Sequence, residues 1–232
     1  MQQMKTDMHT HSKGVSLCSH VWAKELVDNK IEQGYDAVVL TNHCQSWYYK
    51  PEEHAEYIQK VIDEYNLAKS YGEMRGLKVL LGVEVTIVEP HYADWLLYGV
   101  TESFLRQSPC LYLLKQKELF DLCEANGIVL VQAHPFRCEG GPGYVQYMHG
   151  VEINCTAGDL AGKDKVIAFA NEHNLLITCG TDYHGLNAFR GGTLLPSTIE
   201  NAQDLAKYLK ETDKTHVFLE EERFQFPTPN IK

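Results

Sequence analysis

Apolar and polar positions along this chain follow two alternating rhythms. Short runs rich in Val, Ile, Leu and Tyr, such as "YDAVVLTNH", "LKVLLGVEV", "GIVLVQAHP" and "LLITCGTDYH", read as strands. Between them lie longer stretches with apolar residues three and four positions apart. These predict helices at about Trp22–Gln33, Pro51–Tyr71, Leu113–Asn126, Lys163–His173 and Ala202–Glu211. "MKTDMH" opens the series, "WLLYGV" and "HGVEIN" lie inside it, and "THVFLE" precedes a polar tail from about residue 220 that ends "FPTPNIK".

Strands alternating with helices of this length imply parallel pairing through βαβ crossovers. About seven strand candidates follow one another with no linker, repeat or low-complexity segment. The expectation is an α/β fold with one barrel domain over residues 1–232 rather than an open sheet.

Composition narrows the function. The 232 residues are 44% hydrophobic and 22% charged, as in ordinary globular chains, but carry a formal net charge of -10. That balance argues against a long nucleic acid as partner, because such binding draws on many Lys and Arg contacts to phosphates. A small anionic substrate stays compatible, since a bound cation can dominate the local field. No run approaches the ~20 apolar residues of a membrane span. "MQQMKTDMHTH" lacks the apolar core of a secretory signal, so a cytoplasmic setting without a membrane partner is expected. The seven cysteines form no C-x-x-C pair, which also suits a reducing compartment. Cys18, Cys44, Cys138, Cys155 and Cys179 fall near strand ends but read as small hydrophobes, and none is taken as a ligand.

The 11 histidines change the picture most. In "DMHTHS", His9 and His11 are one residue apart and share a face of an extended strand. His43 follows the next strand in "LTNH", Glu84 closes "LLGVE", His134 follows "VLVQA", and Asp182 and His184 follow "LLITCG". Any one of these alone is an ordinary turn or capping residue. Together they occupy the C-terminal ends of separate parallel strands, which meet at one face of a barrel. Imidazole nitrogens with carboxylate oxygens suit zinc, iron or manganese. There is no H-E-x-x-H helix, G-x-S-x-G elbow or Walker loop. Metal-assisted hydrolysis by activated water fits this inventory best.

These motifs, in this order, resemble the polymerase and histidinol phosphatase (PHP) superfamily. "DMHTHS" matches its first motif, "LTNH" with "GVEVT" its second, "AHPFR" its third and "TDYH" its fourth, from Asp7 to about Gly192. The resemblance implies a distorted (β/α)7 TIM-like barrel that holds two or three divalent ions (Zn, Mn or Fe) at the strand ends. It assigns His9, His11, Glu84 and Asp182 to one ion, with Glu84 bridging to a second that His134 also holds. A third would take His43, His184 and, across a short insertion, His20. The second ion's last ligand is Asp94 or His91 in "EPHYADWLLYG", with Asp94 preferred because it directly precedes the apolar run.

Other residues near these motifs receive expected roles. Asp7, two residues before His9, is expected to orient a ligand imidazole. Arg137 and Arg190 are candidates for holding a substrate phosphate. Asp182 and His184 are candidates for moving a proton to the leaving group. Glu152 ends a strand without an assignment. The implied activity is that of a metal-dependent phosphoesterase, a phosphatase acting on a small phosphorylated metabolite. Alternatives are a phosphodiesterase acting on nucleotides or short oligonucleotides, a non-catalytic metal-binding module, and C–N bond hydrolysis. The last usually needs a metal-bridging lysine, which no strand end here supplies.

Overall fold

The computed structural model of the protein describes residues 2–185 and 189–220, together with the backbone of 222–227. Its strands are β1 (Gln3–Thr10), β2 (Ala37–Leu40), β3 (His43–Cys44), β4 (Lys78–Ile87), β5 (Ala93–Tyr98), β6 (Val129–Gln132), β7 (Gly150–Asn154), β8 (Leu176–Gly180), β9 (Gly191–Pro196), β10 (Lys214–Leu219) and β11 (Glu222–Pro227). The helices are α1 (Ala23–Glu32), α2 (His54–Arg75), α3 (Glu102–Gln107), α4 (Gln116–Ala125), α5 (Ala157–Ala161), α6 (Lys163–His173) and α7 (Ala202–Glu211).

One sheet runs in the order β11-β10-β9-β1-β2-β4-β5-β6-β7-β8, with β3 beside β4. A parallel bridge from Thr10 to Tyr183 brings the segment after β8 back to β1 and nearly closes the barrel. The fold is therefore the expected distorted TIM-like α/β barrel. β1–β2, β2–β4, β6–β7 and β7–β8 pair in parallel. Strict parallel alternation fails elsewhere. β5, the "WLLYGV" segment, runs antiparallel to both β4 and β6. The link through residues 88–92 is too short for a parallel crossover, which takes a dozen residues or more.

That reversal positions chemistry. Thr86 near the end of β4 pairs with Asp94 near the start of β5, so the start of β5 lies at the barrel end where β4 finishes.

β9 is a strand the apolar pattern does not announce. Its opening glycines let it approach β1 closely, since a Cβ at Gly192 would meet the Thr6 carbonyl oxygen at 2.2 Å. Of the expected polar tail, 222–227 instead form β11, antiparallel to β10. Residues 221 and 228–232 lie outside the described residues.

Helix boundaries follow local chemistry. α2 begins after a 3₁₀ turn opened by Pro51 and stops at Gly76 in a left-handed conformation. The Asn201 side chain accepts from the Asp204 amide 2.9 Å away and caps α7. α7 buries Ala202, Leu205, Ala206 and Leu209 on one stripe. Leu205, Ala206 and Leu209 pack with Met8, Leu80, Leu96, Val129 and Leu176 from the strands. β4 is buried along nearly its whole length, which explains its continuous apolar run. Among the described residues, no helix is long and apolar enough to cross a membrane.

Candidate metal centre

Glu84, near the middle of β4, stands at the centre of four imidazoles. Its Oε1 lies 3.3 Å from His9 Nε2 and 3.4 Å from His134 Nε2. Its Oε2 lies 2.8 Å from His43 Nδ1 and 3.4 Å from His11 Nε2. Asp182 Oδ1 faces the same pair at the end of β1, 3.4 Å from His9 Nε2 and 3.3 Å from His11 Nε2. Ligand atoms fall within 4.8 Å of one another in three groupings: His9, His11 and Glu84; Glu84, Asp94 and His134; and His11, His43 and His184.

These donors fit metal ions. His9 Nε2, His11 Nε2, His43 Nδ1 and both Glu84 oxygens are buried and, though each of these nitrogens is crowded within 2.8–3.4 Å of a Glu84 oxygen, make no hydrogen bond of acceptable geometry. Orphaned polar atoms inside a protein are costly, and so many converging on one point call for a cation between them.

The electrostatics carry the same mark. Burial opposes charge on His9, yet Glu152, Glu84 and Asp182 outweigh it and raise its pKa well above the usual imidazole value. Burial also opposes ionisation of Glu84, but His9 and His43 hold its carboxyl well below the ordinary range. Asp182 is likewise held low against burial by His9 and His11. His11 goes the other way, lowered by burial and by the neighbouring His184 and His43. Asp94 is raised by burial and by Glu84.

The backbone is shaped for the site. His134 (φ 29°) and Asp182 (φ 52°) are non-glycine residues in the left-handed region. Such conformations persist where surrounding contacts enforce them, often at functional positions.

Several expected residues stand elsewhere. His20 is exposed, and its backbone amide donates to the His184 carbonyl oxygen 2.8 Å away. Its side chain joins none of the three groupings. Cys18, two residues earlier, has its Sγ 3.0 Å from His184 Nε2. His91 Nε2 faces the Gly141 carbonyl oxygen at 2.8 Å, away from the cluster that Asp94 joins. Arg190 hydrogen-bonds through Nε to Glu220 at 3.3 Å and does not line the cleft. β10 ends beside β9, so the chain itself provides that acidic partner. Arg137 does reach the centre: Nη2 donates to Asp182 Oδ2 at 2.8 Å and to Asp159 Oδ2 at 2.7 Å.

Asp7 holds backbone rather than a ring. It accepts from the His9 amide at 3.2 Å and the Thr181 amide at 2.9 Å, and pairs with Lys30 Nζ at 2.7 Å. The residue that faces the His9 ring is Glu152, with Oε1 2.9 Å from Nδ1. Glu152 does not end its strand as expected but lies in the middle of β7; its signal is a charged residue inside a buried strand that pairs with β8 just before Asp182.

The centre opens into a cleft of about 340 Å³ rimmed by Gln45, Trp47, Tyr48, Tyr92 and Arg137. Trp47 is 79% exposed there. A larger cavity of about 430 Å³ opens at the opposite strand ends, beside Met4, Asp36 and Lys78, but no histidine lines it. The donor chemistry therefore points to the smaller cleft.

The PHP domain family model matches residues 7–220. The chain belongs to the PHP domain family. No curated protein matches this PHP chain by sequence. Among solved structures, it is similar to PsfC from Pseudomonas syringae, at 19% identity and a TM-score of 0.67, covering 98% of this chain and 93% of that one. A two-domain protein from Bacteroides vulgatus, containing a predicted PHP-like metal-dependent phosphoesterase, gives 20% identity and a TM-score of 0.65 over 94% of this chain. The PHP chain spans 65% of that protein's length. A lesion-specific endonuclease from Pyrococcus furiosus gives 16% identity and a TM-score of 0.60, over 92% of this chain and 57% of its own. At these identities the likeness is one of fold.

Proposed function

We propose that this PHP chain is a metal-dependent phosphatase that hydrolyses a small phosphorylated metabolite. The observation that carries this reading is Arg137, which is held by Asp182 and Asp159 at the lip of a cleft floored by orphaned His and Glu atoms. A guanidinium beside converging metal donors suits a phosphate bearing two charges.

His9, His11, Glu84 and Asp182 would hold one ion; Glu84, Asp94 and His134 a second; His43 and His184 a third. Bound zinc, manganese or iron would supply Lewis acidity and lower the pKa of water. Arg137 donates to the phosphate oxygens and fixes the substrate's orientation. Asp182 stays ionised at neutral pH, which suits Oδ1 to holding an ion while Oδ2 accepts from Arg137. Burial opposes charge on His184, but Cys18 and Asp182 outweigh it and raise its pKa, which favours the protonated ring that a leaving alkoxide needs. It has that role only while no ion engages Nε2, because proton and ion compete for one lone pair.

A neighbouring cavity of about 240 Å³, which shares Gln45, Trp47 and Tyr92 with the cleft and is lined also by Tyr112 and Leu113, suits an organic leaving group. Exposed aromatic faces also support the second reading, a phosphodiester of a nucleotide or short oligonucleotide, since bases stack on such rings. The acidic chain disfavours long nucleic acid. All seven cysteines are free thiols, which fits a cytoplasmic setting. Hydrolysis of a nitrophenyl monoester but not of the bis-ester supports the phosphatase; the reverse favours the diesterase, and neither reaction leaves a metal-binding module.

A further inference from the structure

Cys18 belongs to none of the ligand sets above, yet its sulfur lies among them. Sγ is 3.0 Å from His184 Nε2. The other nitrogen of that ring, Nδ1, is 2.7 Å from the Asp182 carbonyl oxygen, which can only accept. Nδ1 therefore carries the donated proton when the ring is neutral, and the Nε2 lone pair faces the sulfur.

A second feature points to an occupant. His11 is wholly buried, and its Nε2 has no hydrogen-bond partner. It is aimed into the grouping it forms with His43 and His184. The segment carrying Cys18 is pinned to this grouping. Ser12 N and Ser16 Oγ donate to Asn42 Oδ1 at 2.8 and 2.9 Å, and the His43 amide donates to Ser16 Oγ at 3.1 Å. The Cys18 amide donates to the Tyr48 hydroxyl at 3.3 Å. These contacts present Cys18 to the cleft, whereas His20 neither lines the cleft nor joins any of the groupings.

We propose that Cys18 is a thiolate ligand to the ion held by His43 and His184, in the place that the resemblance assigns to His20. This rests on the metal-centre reading and adds a selectivity to it. The other groupings offer only nitrogen and oxygen, whereas a thiolate is soft and favours zinc or cobalt over manganese or magnesium. The outer position is thereby set apart from the inner ones in the ions it retains.

The test is a titration of the metal-stripped full chain with Co²⁺, followed by absorption and elemental analysis. The expected wild-type spectrum combines visible d–d bands with a sulfur-to-cobalt charge-transfer band in the near ultraviolet. Cys18→Ser, an exposed substitution checked for fold by circular dichroism, should keep visible bands but lose the charge-transfer band and one tightly held ion. Cys18→Asp should regain that ion without the band. An unchanged band and ion count in Cys18→Ser overturns the thiolate assignment alone. Absence of any cobalt spectrum in the folded wild type overturns the metal-centre reading and this assignment with it.

Discussion

Glu152 Oε1 lies 2.9 Å from His9 Nδ1, and both side chains are wholly buried. Oε2 of the same carboxylate accepts from the His134 amide at 3.2 Å and from Asn154 Nδ2 at 2.9 Å. One side chain thus positions two proposed ligands, fixing the ring of His9 and the strained backbone of His134. Partners of this kind typically change metal affinity about 10–100-fold when altered. Glu152→Gln is expected to weaken binding by that factor in a chelator competition while the protein stays folded. Unchanged affinity would remove Glu152 from the account.

Metal binding is expected to release protons. In the ion-free protein, burial opposes charge on His43, but Glu84 and Cys18 outweigh it and push its pKa up to about 10. His9 is raised in the same sense. The His43 ring is protonated at pH 7, whereas an ion needs a free lone pair, so affinity rises with pH until about 10. Ion-free stability has the opposite sign. The contribution of a raised histidine is complete below its unfolded pKa of about 6.5 and is lost as pH climbs through the folded value. Calorimetry at pH 7 in buffers of different ionisation enthalpy counts the protons; zero release contradicts this.

Lys30 is a fully buried cation whose Nζ pairs with Asp7 and also reaches Gln33 and Thr181, both at 3.1 Å. It lies 3.9 Å from the centroid of the Tyr183 ring. Lys30→Met leaves the Asp7 charge alone in the interior, a change that costs about 3–5 kcal/mol. Urea unfolding of the ion-free protein measures it. Combining the change with Asp7→Asn should recover part of the loss, and no recovery would mean the ion pair is not its source.

Arg137 donates through both Nε and Nη2 to Asp159 Oδ2, and through Nη2 to Asp182. Lysine keeps the charge but not the fork. Losing one charge-assisted bond worth about 1.5 kcal/mol corresponds to about a tenfold rise in KM for a phosphomonoester. Arg190→Lys, altered at the Glu220 contact, is expected to leave KM unchanged. Equal effects from the two variants would contradict the assignment of Arg137 to phosphate.

The positions of His9, His43, His134 and Asp182 at or near strand ends are legible because strand period and turn chemistry are local, whereas β4 runs three residues past Glu84, the expected strand end. The barrel class follows from the same pattern. Asp94 reaches the centre through a reversal that the apolar rhythm alone does not reveal, since "WLLYGV" reads alike in either direction. His20 and Cys18 are ambiguous in sequence because their paths depend on Asn42 and Tyr48, remote residues that pin the loop. Asp7 and Glu152 both sit on interior strands, and only the distances show which one faces a ring. Arg190 is settled by β10, whose pairing with β9 brings Glu220 alongside.

Phosphate release by the metal-reconstituted wild type and by Glu84→Gln, measured side by side on a panel of phosphorylated metabolites, tests the central claim most directly. Glu84 faces four imidazoles, and both of its oxygens lack hydrogen-bond partners. The account predicts turnover of at least one small monoester by the wild type. It also predicts a folded Glu84→Gln protein that retains less metal and releases no phosphate above background. Equal phosphate release by both proteins would contradict it.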